Sequence, residues 1–314
     1  MAMYSFGVDI GGTTVKIGFF EASGSLLESW EIPTRTVDNG KNILPDIAAS
    51  VLGKLKELGI DDDYVKGIGM GVPGPVSDDG TVLKCVNLGW GVFNVCDELS
   101  KLTGMPVRAT NDANAAALGE MWQGGGKGHK DVIMVTLGTG VGGGIIIDGR
   151  IMNGVNGASG EIGHIPVQDF DEETEVCGCG KRGCLEQYVS ANGIARITKK
   201  YLQENPELQS TLRYVPTIDS RAIFDAAKDG DEVALHMVDV FSKILGRALA
   251  GVACVIDTEI FVVGGGVSKA GQIVIEGVQK YYRQYAFHAS SKAQFALATL
   301  GNNAGIYGGA ALML

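Results

Sequence analysis

Hydrophobic and polar positions along the 314-residue chain predict secondary-structure elements in an order that occurs twice. Each half begins with apolar runs that flank a turn rich in glycine and threonine, a pattern typical of antiparallel strands. Strands then alternate with segments whose apolar residues recur at helical spacing. In the first half this pattern predicts strands at 4–10, 15–20, 26–32, 65–72 and 107–110 and helices at 44–58, 92–102 and 112–123.

The second half repeats this organisation with little sequence identity to the first. Its predicted elements are strands at 131–137, 141–148, 150–152, 259–263 and 295–300 and helices at 185–202, 231–256, 268–285 and 302–314. We therefore expect two similar α/β lobes, with a ligand-binding cleft between them.

Composition and charge narrow the class of protein. Hydrophobic residues make up 45% of the chain and charged residues 20%, which is typical of a globular protein. The apolar runs are shorter than the roughly 18 residues of a membrane span, and the N-terminus lacks the pattern of a signal peptide. A net charge of -10 argues against a nucleic-acid surface. We therefore expect a cytoplasmic protein without nucleic-acid or membrane partners.

Three glycine-rich turns follow apolar strands and are candidates for binding phosphate. Glycine lets backbone N–H groups approach an anion, threonine adds hydroxyl donors, and a carboxylate such as Asp9 can hold Mg²⁺ through water. A tight hairpin explains one such turn equally well, and Lys16 could simply face solvent. Three turns, two at matched places, favour nucleotide phosphates. The candidate residues are Asp9, Gly11, Gly12, Thr13, Thr14 and Lys16, then Gly138, Thr139 and Gly140, then Gly265 and Gly266.

Asp112 lies where a predicted strand gives way to a helix. Taken alone, this aspartate is more often a helix N-cap than a catalytic residue. In a phosphate-binding site it suits the general base that accepts a proton from an attacking hydroxyl. Amides and carboxylates that could contact sugar hydroxyls are Asn87, Asn111, Glu161 and Glu186, although an isolated glutamate is more often a solvated surface residue.

Four residues have the spacing H-x12-C-x-C-x4-C: His164, Cys177, Cys179 and Cys184. Three thiolates and one imidazole satisfy tetrahedral Zn²⁺ and leave no open position, so the predicted site is structural. It would cross-link the Glu161 loop to the start of the helix at Glu186. The second ring nitrogen of His164 would remain for another contact. The alternative is a loop with three reduced thiols.

These motifs resemble the ROK family, which includes repressors and sugar kinases of the actin/hexokinase-like ATPase superfamily. The resemblance spans nearly the whole chain, and the run from Leu137 to His164 is its most specific part. The matching segments are DIGGTTVK at 9–16, GVPGPV at 71–76, NLGW at 87–90, TNDANAAALGE at 110–120, LGTGVGGGIIIDGRIMNGVNGASGEIGH at 137–164, CGCGKRGCLE at 177–186 and VVGGGVS at 262–268.

The resemblance implies an ATP-dependent hexose kinase, with glucose as the first candidate substrate and Asp112 as the base for the sugar 6-hydroxyl. Hexose contacts would come from Asn87, Asn111, Glu161, His164 and Glu186. The first two glycine turns would hold phosphates and Mg²⁺, and Gly265 and Gly266 would lie near the adenosine.

The fold implied by the resemblance is a two-lobed actin/hexokinase-like (ribonuclease H-like) α/β fold, each lobe a mixed sheet flanked by helices. The expected domains are 1–115 plus 303–314, with the last helix returning to the first lobe, and 116–302 with the zinc site. The expected assembly is a homodimer or a homotetramer.

Several alternatives remain open at this point. Kinases for fructose, mannose, N-acetylglucosamine and N-acetylmannosamine share most of these motifs, and polyphosphate or ADP could replace ATP as donor. A catalytically silent sugar sensor could use the same fold. Repressors of the family carry a DNA-binding domain before the kinase-like region, and because only eight residues precede Asp9 we expect none here.

Overall fold

A computed structural model describes residues 3–169 and 175–314 of the protein. Its strands are β1 (Tyr4–Ile10), β2 (Thr14–Glu21), β3 (Leu26–Pro33), β4 (Val65–Val72), β5 (Thr81–Val82), β6 (Phe93–Asn94), β7 (Val107–Asn111), β8 (Val132–Leu137), β9 (Val141–Ile147), β10 (Arg150–Ile151), β11 (Ile260–Gly264) and β12 (Gln294–Leu297). Its α-helices are α1 (Ile43–Leu58), α2 (Val95–Thr103), α3 (Asp112–Gln123), α4 (Glu186–Val189), α5 (Ala191–Glu204), α6 (Ser220–Lys228), α7 (Glu232–Ala253), α8 (Gln272–Tyr285) and α9 (Ala304–Leu312).

Two five-stranded mixed sheets share one topology, with strand orders β3-β2-β1-β4-β7 and β10-β9-β8-β11-β12. In the first sheet β1, β2 and β3 are antiparallel neighbours, whereas β4 is parallel to both β1 and β7. In the second sheet β11 is parallel to both β8 and β12, and β10 is antiparallel to β9. The predicted repeat of organisation and the mixed α/β fold are therefore confirmed.

The described chain forms two compact units. The first comprises the chain up to Lys130 together with Gly144–Gly160 and Thr299–Leu314, and the second comprises Asp131–Gly143 and Glu161–Ala298. This division differs from the expected one at 115/116, because α3 as a whole packs against α9 within the first unit.

The first sheet is covered by helices on both faces, which explains why β1 and β4 are buried along almost their whole length. On one face Ile47 and Val51 of α1 pack into the cluster that contains Phe6 and Ile68. On the other face α9 lies directly on the strands. A Cβ atom on Gly69 would collide with the Gly309 carbonyl, so this approach of α9 requires glycine.

Some predicted element boundaries are wrong. The helix expected at 185–202 is two helices, because Ser190 is extended and its hydroxyl accepts the Gly193 N–H as the N-cap of α5. Helix α2 begins only at Val95, after the short strand β6. Helix α6 lies in a segment for which no element was predicted. Among residues 3–169 and 175–314, no helix is both long and apolar enough to span a membrane.

Glu120 is a fully buried carboxylate that joins α3 to the segment before α9. One oxygen accepts the N–H groups of Thr299 (3.0 Å) and Gly125 (2.8 Å), and the other accepts the Leu300 N–H (2.8 Å). Glu120→Gln should lower the free energy of unfolding by about 2–4 kcal/mol, because an amide nitrogen cannot accept and would face backbone donors. A lower midpoint of thermal unfolding would report this loss.

The matched control is Glu98→Gln, which alters an exposed glutamate that pairs with Lys101 at 2.8 Å. Its effect should stay within about 0.5 kcal/mol, as is usual for surface positions. Equal midpoints for the two variants would contradict the role given to Glu120.

Candidate active site

Asp112 is the first residue of α3, and Asn111 is its N-cap. The backbone of Asn111 is extended, and its side-chain oxygen accepts the N–H groups of Ala113 (2.9 Å) and Asn114 (3.3 Å). The alternative that Asp112 is the cap is therefore wrong. The Asn111 amide also donates to the Gly74 carbonyl at 3.2 Å, so this predicted sugar contact also has a structural role.

Asp9 and Asp112 both lie beside Gly71 of β4, because Asp9 belongs to β1 and Asp112 follows β7, and both of these strands pair with β4. A Cβ atom on Gly71 would lie 3.4 Å from the Asp112 Cα and 3.6 Å from an Asp9 oxygen. The pKa of Asp9 is raised to about 6, chiefly by burial and then by the charge of Asp112, while the charge of Lys16 opposes the shift. A bound cation would favour the charged form, and hard carboxylate oxygens suit Mg²⁺.

The first glycine turn joins β1 to β2, and Gly12, Thr13 and Thr14 are exposed. The Gly11 N–H donates to the Thr14 carbonyl at 2.9 Å, which closes the turn. Lys16 pairs in register with Asp9 on the neighbouring strand. The structure thus brings together the exposed turn, the carboxylate and the lysine predicted from the first motif.

The second and third glycine turns meet within the second unit. The Gly138 N–H donates to the Gly140 carbonyl at 3.0 Å, and Thr139 is exposed at the tip of this turn. A Cβ atom on Gly265 would lie 2.5 Å from the Leu137 carbonyl oxygen, so the third turn packs against the base of the second. Gly266 adjoins Gly265 and has open space beside it.

A cavity of about 350 Å³ adjoins Gly266, and half of its lining comes from the unpredicted helix α6. Phe224 lines this cavity although only 1% of its surface is exposed, and Arg221 pairs with Asp225 at 3.5 Å. The lining residues are Ser220, Arg221, Phe224, Asp225, Gly266, Val267, Lys269 and Ala270. A helix signal was present in the sequence: Asp219 caps α6, and the buried residues Ile223, Phe224 and Ala227 follow at helical spacing.

His164, Cys177, Cys179 and Cys184 converge, with all four ligand atoms within 4.8 Å of one another. Cys177 Sγ lies 3.6 Å from His164 Nδ1, and Cys179 Sγ lies 3.6 Å from Cys184 Sγ. Tetrahedral Zn²⁺ with Zn–S bonds of about 2.3 Å places sulfurs about 3.8 Å apart, so the donor set fits this ion. Burial and the neighbouring thiols raise the pKa of Cys184 to about 12, and a dication would reverse this effect.

Two predicted sugar contacts adjoin this cluster. Glu161 lies 3.8 Å from Nε2 of His164, the ring nitrogen that does not face Cys177. Glu186 accepts the Val141 N–H at 2.9 Å through one oxygen, while its other oxygen lies 3.7 Å from Cys177 Sγ. Glu186 therefore links the cysteine cluster to the second glycine turn, a role that the sequence did not indicate.

Asn87 lies in the first unit, in a short 3₁₀ turn over Val86–Leu88, and its side chain is exposed. Leu88 is buried beneath it, and the Trp90 ring donates to the Gly40 carbonyl at 3.2 Å. The NLGW segment is thereby fixed against the first unit with the amide of Asn87 outward.

Comparison with known proteins gives consistent matches over the full length. The sequence profile of the ROK family matches residues 5–314. A glucokinase from Halalkalibacterium halodurans is 44% identical over 307 residues, which cover 96% of this chain and 92% of that protein. An N-acetyl-D-glucosamine kinase from Yersinia enterocolitica is 31% identical, with 98% of this chain and 99% of that protein covered.

Among solved structures, a ROK family glucokinase from Streptomyces griseus in complex with glucose and AMPPNP superposes with a TM-score of 0.72. It is 37% identical, and 98% of each chain is covered.

Proposed function

The chain belongs to the ROK family, and we propose that it is an ATP-dependent glucokinase with Asp112 as the general base. It would transfer the γ-phosphoryl group of ATP to the 6-hydroxyl of glucose. The observation that carries this function is the pair of carboxylates of Asp9 and Asp112 beside Gly71, next to an exposed glycine–threonine turn. Glucokinases at 44% and 35% identity support glucose as the substrate.

Asp112 accepts the proton of the 6-hydroxyl as its oxygen forms a bond to the γ-phosphorus. The bond from that phosphorus to the bridging oxygen breaks, and ADP leaves with the electron pair. As the first residue of α3, Asp112 lies at a helix N-terminus, where negative charge is stabilised.

Backbone N–H groups of the glycine turns and a cavity in the second unit, rather than a P-loop, would bind the nucleotide. The exposed turns at Gly11–Thr14 and Gly138–Gly140 offer N–H and hydroxyl donors to phosphate oxygens. The cavity beside Gly266 would accept the adenosine. Asp9 would hold Mg²⁺ through water, and that ion, when bound, neutralises charge on the phosphates.

The cysteine cluster would hold one structural zinc ion and orient Glu161, His164 and Glu186 toward the hexose. Reduced thiols are required for this role, which supports a cytoplasmic location. The family resemblance supports a homodimer or a homotetramer.

A coupled assay with Mg-ATP and five hexoses tests the proposed function. We expect kcat/KM for glucose to exceed those for fructose, mannose and N-acetylmannosamine by at least about tenfold. A higher kcat/KM for N-acetylglucosamine would make that sugar the substrate in place of glucose. The 31% identical N-acetyl-D-glucosamine kinase makes this sugar the second candidate. Activity only with polyphosphate or ADP would change the donor. If folded, zinc-loaded protein were inactive with every combination of phosphoryl donor and hexose, the kinase function would be overturned in favour of a sugar sensor.

A further inference from the structure

Asn153 lies just after β10, and its side chain contacts one strand, one helix and one turn of the first unit. Its oxygen is 3.0 Å from the Asn114 side-chain nitrogen, which donates to it, and 3.4 Å from the Thr110 hydroxyl. Its nitrogen donates to Asp78 at 2.7 Å. Thr110 and Asn114 are both more than nine-tenths buried, so these contacts are shielded from water on the side of β7 and α3.

Asp78 determines which way the Asn153 amide points. An ionised carboxylate can only accept hydrogen bonds, so the amide nitrogen must face it. The amide oxygen then faces Thr110 and Asn114, where it accepts two hydrogen bonds. The hydrogen bond from the Asn153 amide to the charged carboxylate of Asp78 is short, and hydrogen bonds to charged acceptors are stronger than those between neutral groups. This bond therefore favours one orientation of the Asn153 amide.

The two residues that Asn153 holds lie on either side of Asp112. Thr110 is two residues before it, in β7, and Asn114 is two residues after it, in the first turn of α3. The side chain of Asn111 accepts the first N–H groups of the helix, which orders the helix start. Its bond to Asn114 is to the backbone N–H, so it does not connect the side chain of that residue to another part of the unit. The contact from Asn153 supplies that connection.

We propose that Asn153 is a positioning residue that holds the strand and the helix flanking Asp112 at a fixed distance from each other, with Asp78 as its own anchor. This inference rests on the proposed function, in which Asp112 takes a proton from the sugar. A displacement of a reacting group by about 1 Å can cost a hundredfold in rate. Neither Asn153 nor Asp78 is a catalytic residue: both act through the position of Asp112.

An exchange of the two side chains tests the proposal. Asn153→Asp places a second carboxylate against Asp78, so the contact breaks, and kcat should fall about 30- to 100-fold. Asp78→Asn keeps an acceptor oxygen, and kcat should stay within about threefold of wild type. In the double variant the amide at position 78 can donate to the carboxylate at position 153, so the hydrogen bond is restored with donor and acceptor exchanged. Its kcat should return to within about fivefold of wild type.

The control for Asn153→Asp is Asn156→Asp, the same substitution at an exposed position of the same segment. It should leave kcat within about twofold. For all variants, KM for glucose and for ATP and the Kd for glucose without nucleotide should stay within about threefold, because positioning of the base acts on the transition state. Circular dichroism at the assay temperature verifies that each variant is folded.

Three results would overturn the proposal: an unchanged kcat in Asn153→Asp, no recovery in the double variant, or a loss of glucose binding or folding that matches the loss of kcat. The wild type in the same assay separates this inference from the proposed function. If the wild type phosphorylates none of the hexoses, the proposed function fails and the inference fails with it. If the wild type is active, the kcat values and glucose Kd values of the variants decide whether Asn153 positions Asp112.

Discussion

Asp112→Asn should lower kcat by about 10³-fold while the Kd for glucose stays within about threefold, because an amide cannot accept the proton of the 6-hydroxyl. The amide has nearly the volume of the carboxylate, and Asn111 remains to cap α3. Loss of turnover would therefore not arise from a disordered helix. Initial rates with Mg-ATP, together with glucose titration without nucleotide, separate the two effects.

Asp97→Asn is the matched control, because Asp97 is also an aspartate in the first turn of a helix of the same unit, α2, and is exposed. Its kcat should stay within about twofold of wild type. An Asp112→Asn enzyme that keeps more than a tenth of the wild-type kcat would contradict the assignment of the general base.

Local patterns in the sequence predicted much of the fold. Helix α1 ends where expected, since Gly59 takes the left-handed conformation with φ of 65°. Helix α3 begins at Asp112 and ends at Gln123, as the apolar spacing indicated. At 185–202 the apolar period continues through Ser190, which conceals the break between α4 and α5. There the hydrogen bond of a cap prevails over periodicity.

The sequence predicted which residues form the candidate site better than it predicted how they are arranged in space. The motifs identified Asp9, Asp112 and the cysteine cluster by residue type and spacing. That Asp9 meets Asp112 depends on the registers of β1, β4 and β7, which are set by pairing between strands about 60 and 40 residues apart. Asn153 lies within the matching segment at 137–164, but the sequence assigned it no role, because its contacts form only where the chain folds back onto α3.

The link between the cysteine cluster and Glu186 predicts that metal loss will affect substrate binding as well as stability. Cys184→Ser should reduce zinc from about one ion per chain to a small fraction, because tetrahedral sites depend on all four ligands. KM for glucose should rise at least about tenfold, since Glu161 and Glu186 lose their shared support. The midpoint of thermal unfolding should fall as well, since zinc binding contributes to folding. Elemental analysis, steady-state rates and calorimetry measure these three changes.

Cys254→Ser is the control, because Cys254 is an exposed thiol outside the cluster. It should keep the zinc content, KM and the unfolding midpoint of the wild type. If Cys184→Ser lost its zinc and yet bound glucose normally, the cluster would stabilise its loop without orienting the carboxylates. Three thiolates and one imidazole, with separations of 3.6 Å between two of their pairs, favour zinc, so a wild type without zinc would contradict the assignment of this cluster.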